Sequence, residues 1–186
     1  MGLDISAYSN IVRSEDQSGE EGYTRIRIWR DSFGYCELEE GNWESTQASQ
    51  HHSFRVGSYS SYNQFRDDLC RAIHGVSSYH VYENLEDYVG KPFIGLINFS
   101  DCDGMIGPEI SGILYRDFVD NRERFIRNIS DQPDFLKETL DPIAIETEFP
   151  IEFDLSPSHI EYYTEVYDDF MQAFEIASDG GVVQFC

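Results

Sequence analysis

The chain has 186 residues, 40% of them hydrophobic and 15% aromatic, and it sets 35 Asp and Glu against 13 Lys and Arg for a formal charge of −22. A field of that sign excludes direct contact with nucleic acid and with anionic membrane, and favours a basic partner. Thirteen Phe and twelve Tyr supply the burial that acidic disordered tails lack, so the acid belongs to a folded body, read as one domain over 1–186.

In chain order, Leu3 to Tyr8 reads as an opening strand, and the polar stretch Arg13 to Gly22 as an exposed loop. Thr24 to Arg30 alternates, with Ile26 and Ile28 on one face and Arg25, Arg27 and Trp29 on the other, the pattern of a half-buried strand. Phe33 to Leu38 is expected to pair with it through an Asp31-Ser32 turn, and Glu39 to Ser53 to be a loop. Tyr62 to His74 places Tyr62, Phe65, Leu69, Ala72 and Ile73 in one arc, with Ser60 or Ser61 as N-cap and Gly75 as stop. Phe93 to Phe99 is a short apolar run assigned to a central strand. Pro108 opens a helix whose stripe is Ile110, Ile113, Leu114 and Phe118, with a restart near Phe125. A last helix runs from Pro157 or Ser158 to about Ala177, closed by Gly180 and Gly181, before a short strand at Val182 to Phe185. Strands and helices that do not alternate regularly predict an α+β fold, a mostly antiparallel sheet packed against about three helices.

The acid is uneven along the chain. Residues 131–186 hold fourteen carboxylates against the single base Lys137, which argues against the even spread of a salt-adapted surface. In the last helix Glu161, Glu165, Asp168 and Glu175 oppose the apolar side formed by Tyr163, Val166, Tyr167, Phe170, Phe174 and Ala177. Together with Glu146 and Glu148 they form the candidate partner-binding set. At a rise of about 1.5 Å per residue one such helix is too sparse to imitate duplex DNA, which carries a charge every ~1.7 Å. Mimicry therefore requires the helix and the preceding acidic segment to share a surface.

Two polar phrases form a candidate ligand pocket. Gly57 to Arg66 gathers Ser58, Tyr59, Asn63 and Arg66 at a helix start, a place that receives anions readily. Asp117 projects from the apolar stripe of the Pro108 helix, and an ion pair with Arg66 is the economical way to hold it there. Asp101-Cys102-Asp103-Gly104 follows an apolar run and resembles the nucleophile loop of haloacid-dehalogenase-like phosphotransferases. In that family the first Asp attacks phosphorus and the second acts as acid or base. The accompanying Ser/Thr, Lys and second acidic pair are missing from their places, so Asp101 and Asp103 are carried as ligand-pocket residues, not catalytic ones. An EF-hand is excluded because the twelfth position from Asp101 is Gly112.

The five histidines show no metal-ligand spacing, and no metal or cofactor is expected. Cys36, Cys70, Cys102 and Cys186 are widely separated, with no secretory segment before them, which predicts free thiols in a reducing, cytoplasmic setting. Cys102 reads as a small buried hydrophobe. The opening Met1 to Ser6 fits the short myristoylation pattern, but a single acyl chain needs a basic second signal that this chain lacks.

Met1 to Ile5, Gly57 to Arg66, Phe99 to Pro108 and Ala173 to Gly181 together resemble a group of uncharacterised proteins carried by bacteriophages and prophages. Small acidic phage proteins often inhibit host nucleic-acid-binding machinery. The resemblance thus implies an inhibitor in the host bacterial cytoplasm whose partner is a basic host defence protein, a CRISPR effector or restriction enzyme, bound in place of nucleic acid. The alternatives are a nucleotide- or phosphate-binding protein or enzyme built on Tyr59, Asn63, Arg66, Asp101 and Asp103, and a structural protein of the virion.

Overall fold

The computed structural model describes residues 2–14, 24–29, 34–99, 104–131 and 157–186, and they form an α+β fold. Four strands, β1 (Leu3–Tyr8), β5 (His51–Gly57), β6 (Gly104–Ile106) and β7 (Val182–Phe185), make an antiparallel sheet in the order β5-β1-β7-β6. Period-two alternation sorts its side chains. Leu3, Ile5, Ala7, Val56, Ile106, Val183 and Phe185 are buried against the helices, whereas Asp4, Ser6, Ser53 and Arg55 occupy the opposite face.

That opposite face is partly roofed by a second antiparallel sheet of β2 (Val12–Arg13), β4 (Gly41–Glu44) and β3 (Arg25–Ile28), in the order β2-β4-β3. Ile26 and Ile28 are buried and Arg25 and Arg27 exposed, as their alternation predicts. The two isoleucines pack with Tyr8, Ile11, Met105 and Val182 into a small separate core. Trp29 packs against that core as well, instead of standing on the arginine side.

The helical layer holds α1 (Tyr59–His74), α2 (Ser78–Glu83), α3 (Ile94–Ile97), α4 (Pro108–Asp131) and α5 (Pro157–Ala177), with a 3-10 turn at Leu85–Asp87. Helix α1 starts earlier than its apolar arc suggested. Ser58, not Ser60 or Ser61, is the N-cap: its hydroxyl accepts the Ser61 N–H at 3.1 Å and the Ser61 hydroxyl accepts the Ser58 N–H at 3.3 Å, a reciprocal capping box. Gly75 ends the helix at φ 74°. Helix α4 runs without interruption. Phe125 and Ile129 continue the buried row of Leu114 and Phe118 at helical spacing, and Glu37 caps the start by accepting the Glu109 N–H at 2.5 Å. In α5 the predicted apolar side is buried, and Phe170 sits at its centre against the rings of Phe54, Tyr62, Phe65, Phe118, Phe174 and Phe185.

Three expectations are corrected. Phe93 to Phe99 is not a strand but contains α3, because Phe93, Leu96 and Ile97 bury at i, i+3 and i+4; a short apolar run cannot reveal its period. The partner of β3 is β4, while residues 34–38 lie outside any strand. The stretch Glu39 to Ser53 is not a loop throughout, since it carries β4 and the start of β5. Their core-facing side chains, Trp43 and His52, are too few or too polar to announce a strand.

Candidate functional site

Tyr59, Asn63 and Arg66 fall at i, i+4 and i+7 and so share one face of α1 with Tyr62. Arg66 is only 8% exposed. Its Nη1 donates to the Ile97 carbonyl, its Nη2 to Asn63 Oδ1 at 2.6 Å, and the guanidinium lies 5.1 Å from the centre of the Tyr62 ring. Tyr62 donates its hydroxyl to the Phe99 carbonyl at 2.8 Å. The α1 face therefore grips the end of the segment that precedes Asp101 and Asp103, which themselves lie outside the described residues, as does Cys102. Ser58 serves as the helix cap, and the half-buried Tyr59 packs against the main core.

The expected Arg66–Asp117 ion pair does not form. Asp117 instead accepts the backbone N–H of Phe93 at 2.8 Å, which answers the cost of a carboxylate in the stripe by a main-chain donor. Burial raises the Asp117 carboxyl above its usual range, opposed by that hydrogen bond. Among the described residues the guanidinium of Arg66 has only neutral acceptors, and its Nε is buried without a hydrogen-bond partner.

The carboxylates of α5 divide along the helix. Glu161 and Glu165 are exposed. Asp168, by contrast, is clamped by Arg122 of α4 through two bonds of 2.7 and 2.6 Å, Asp169 contacts His52 Nε2 at 3.0 Å, and Glu175 accepts the Tyr115 hydroxyl at 3.0 Å. The C-terminal half of the acidic face is thus bound to α4 and β5, groups that a single-helix projection does not contain. Glu146 and Glu148 lie outside the described residues.

A buried polar network between α1 and α5 escaped sequence reasoning. Asp68, 3% exposed, accepts Tyr163 Oη–H at 2.5 Å and Gln64 Nε2–H at 2.9 Å. Burial pushes its carboxyl up to about 6, against the pull of those two donors. Next to it Asp67 receives Arg71 Nε at 2.5 Å and both the amide and hydroxyl of Ser78. The available signal was position, for Asp68 stands three residues after Phe65, beside the Ala72 edge of the apolar arc.

Between the α2–α3 connection and α4 lies a cavity of about 310 Å³. Its walls come from distant segments, so no contiguous phrase of sequence marks it. Among the described residues no cluster of three or more His, Cys, Asp or Glu is suited to a metal ion, and no helix is long and apolar enough to cross a membrane. Cys70 is a free thiol, and burial pushes it up to about 12. No family model, curated protein or solved structure matches the chain.

Proposed function

We propose that the protein acts by binding, as an acidic phage-type inhibitor that occupies the basic nucleic-acid-binding surface of a host defence protein. The observation that carries this reading is where the cations go. Arg71 and Arg122 are paired with acids of their own chain, and Arg66 and Arg124 with main-chain carbonyls. The fold consumes these four, so little opposes the exposed Glu161 and Glu165 of α5.

Added to a guide-loaded CRISPR nuclease or a restriction endonuclease holding a fluorescent target duplex, the protein should release the duplex. Its association rate should fall on the order of tenfold from low to high salt, because steering by exposed charge is screened over about 8 Å at physiological ionic strength. Replacing Glu161 and Glu165 by Gln should slow association further. Retention of the duplex by both classes of target, or a rate indifferent to salt, overturns the reading.

A second reading, a nucleotide- or phosphate-binding site on Tyr59, Asn63, Arg66, Asp101 and Asp103, is favoured by the buried guanidinium that among the described residues meets only neutral acceptors. Thermal stabilisation by inorganic phosphate or ATP that is lost in Asp101→Asn, with Glu161 and Glu165 variants unaffected, would select it over the first.

A further inference from the structure

We infer that the cavity between the α2–α3 connection and α4 is a binding site for a small amphipathic anion, an aliphatic body with a carboxylate head directed to Lys91. The inference is separate from the inhibitor reading and uses none of its residues. At about 310 Å³ the cavity lies at the lower end of the range of small-molecule sites, and like them it is apolar with a few polar groups. Ile94 of α3 and Ile110, Ile113 and Leu114 of α4 supply aliphatic wall. At its edge Val89 is 74% and Ile113 51% exposed, apolar surface that a ligand's body would cover.

The cavity is also kept open by construction. Gly95 lines it, and a Cβ there would stand 3.4 Å from Ile110 Cγ2 and 3.8 Å from Leu114 Cδ2, so any longer side chain would fill the space. Just before it, Phe93 adopts φ 63°, a left-handed conformation that a bulky aromatic rarely holds. The Asp117 carboxylate, itself part of the lining, fixes that turn through the Phe93 N–H at 2.8 Å. A strained backbone clamped beside an open apolar cavity is the kind of feature that binding sites retain.

Charge selects the ligand head. Lys91 is one of two lysines in a chain with 35 acids, yet it forms no ion pair among the described residues; its ammonium stands 4.1 Å over the Tyr88 ring. The Asp117 carboxylate, by contrast, is already engaged by the backbone. Asn98 adds an amide to the lining. The chain's distant negative charges are screened over about 8 Å at physiological ionic strength, which leaves Lys91 and the backbone-bonded Asp117 as the charges lining the cavity.

Titration of the full chain with octanoate, octylammonium and octanol, followed by calorimetry and by amide shifts, tests this. Octanoate should bind saturably at one site, with shifts centred on Lys91, Gly95 and Ile113, and about tenfold or more tighter than the other two, the range expected of a charge-assisted hydrogen bond. Lys91→Met, an exposed change, should bring octanoate down to the octanol level, and Gly95→Val should abolish binding. Should Gly95→Val fail to fold, Lys91→Met still decides. Octylammonium binding as tightly as octanoate, octanoate affinity unchanged in Lys91→Met, or no saturable site overturns the proposal. So does self-association in sedimentation that Ile113→Glu removes while octanoate remains unbound, which assigns the face to a second copy of the chain.

Discussion

The four-stranded sheet shows two faces built from the same strands and held by different physics. On the helix side, Ile5, Val183 and Phe185 share one core with Phe170 and its ring of aromatic neighbours, all buried except the half-buried Phe54. On the other side Asp4 faces Arg55, Ser6 faces Ser53 and Tyr8 stacks on His51 with ring centres 4.7 Å apart, and only the Tyr8 end is covered by the small sheet. The first face contributes stability through area removed from water and dense packing. Outside the part covered by the small sheet, the second is made of exposed pairs whose attraction water nearly cancels. The difference shows where charge can vary without endangering the fold: on the outer face and the exposed turns, not in the helical layer.

The point where both faces depend on one backbone contact is Gly181. A Cβ there would lie 1.7 Å from the Tyr8 carbonyl oxygen and 2.8 Å from Ser9 Cα, so β1 and the turn before β7 would have to separate. Their neighbouring bonds, Asn10 N–H to Asp179 O at 2.7 Å and Ile11 N–H to Gly180 O at 3.2 Å, would go with them. Gly181→Ala should therefore lose more than about 4 kcal/mol in urea unfolding or fail to accumulate folded. Phe170→Ala breaks only the inner face and should cost roughly 3 to 5 kcal/mol. A loss below that of a surface substitution would show that the aromatic cluster repacks and that the contrast between the faces is overstated.

The inner layer was the legible part. Helices α1, α4 and α5 announce themselves because large apolar residues recur at three and four over several turns, and Gly75 and Pro108 punctuate them. What escaped was whatever depends on a remote partner. The strand β4 has one packing side chain, Trp43, and α3 is a single turn whose burial pattern needs the rest of the core to be seen. The same rule governs the sites. Asn63 with Arg66 was readable at i, i+3, whereas the Ile97 carbonyl that holds Arg66, the Arg122 that takes Asp168 and the backbone N–H that takes Asp117 come from elsewhere in the chain.

Within the helical layer Asp68 is the group that tests whether charge there is costly. Its carboxyl is raised to about 6 in the folded chain from 3.8, so the native state holds a proton more tightly than the unfolded one. Stability from this group is present below about pH 4 and is lost as pH rises to about 6, a total of roughly 3 kcal/mol. Asp68→Asn removes the titration while Tyr163 and Gln64 keep a polar neighbour. The difference in unfolding free energy between wild type and variant should therefore fall across that window and level off above it. Parallel profiles across pH 4 to 6 would mean that Asp68 ionises without penalty.

The smallest effect is expected on the outer face. Arg55 donates to Asp4 through Nε at 2.8 Å and Nη2 at 3.0 Å, a two-pronged geometry that in a buried setting would be strong. Here the side chains are 61% and 56% exposed, so water solvates both partners in the paired and unpaired states alike. The hydrogen bond to Arg55 holds the Asp4 carboxyl below its usual range, a local preference that solvent screening keeps from becoming fold stability. Asp4→Asn should therefore leave the urea midpoint within the scatter of repeated measurements, at low salt as at high. A clear loss confined to low salt would place this pair among the fold's supports and would give the outer face a share of the stability now assigned to the helical side.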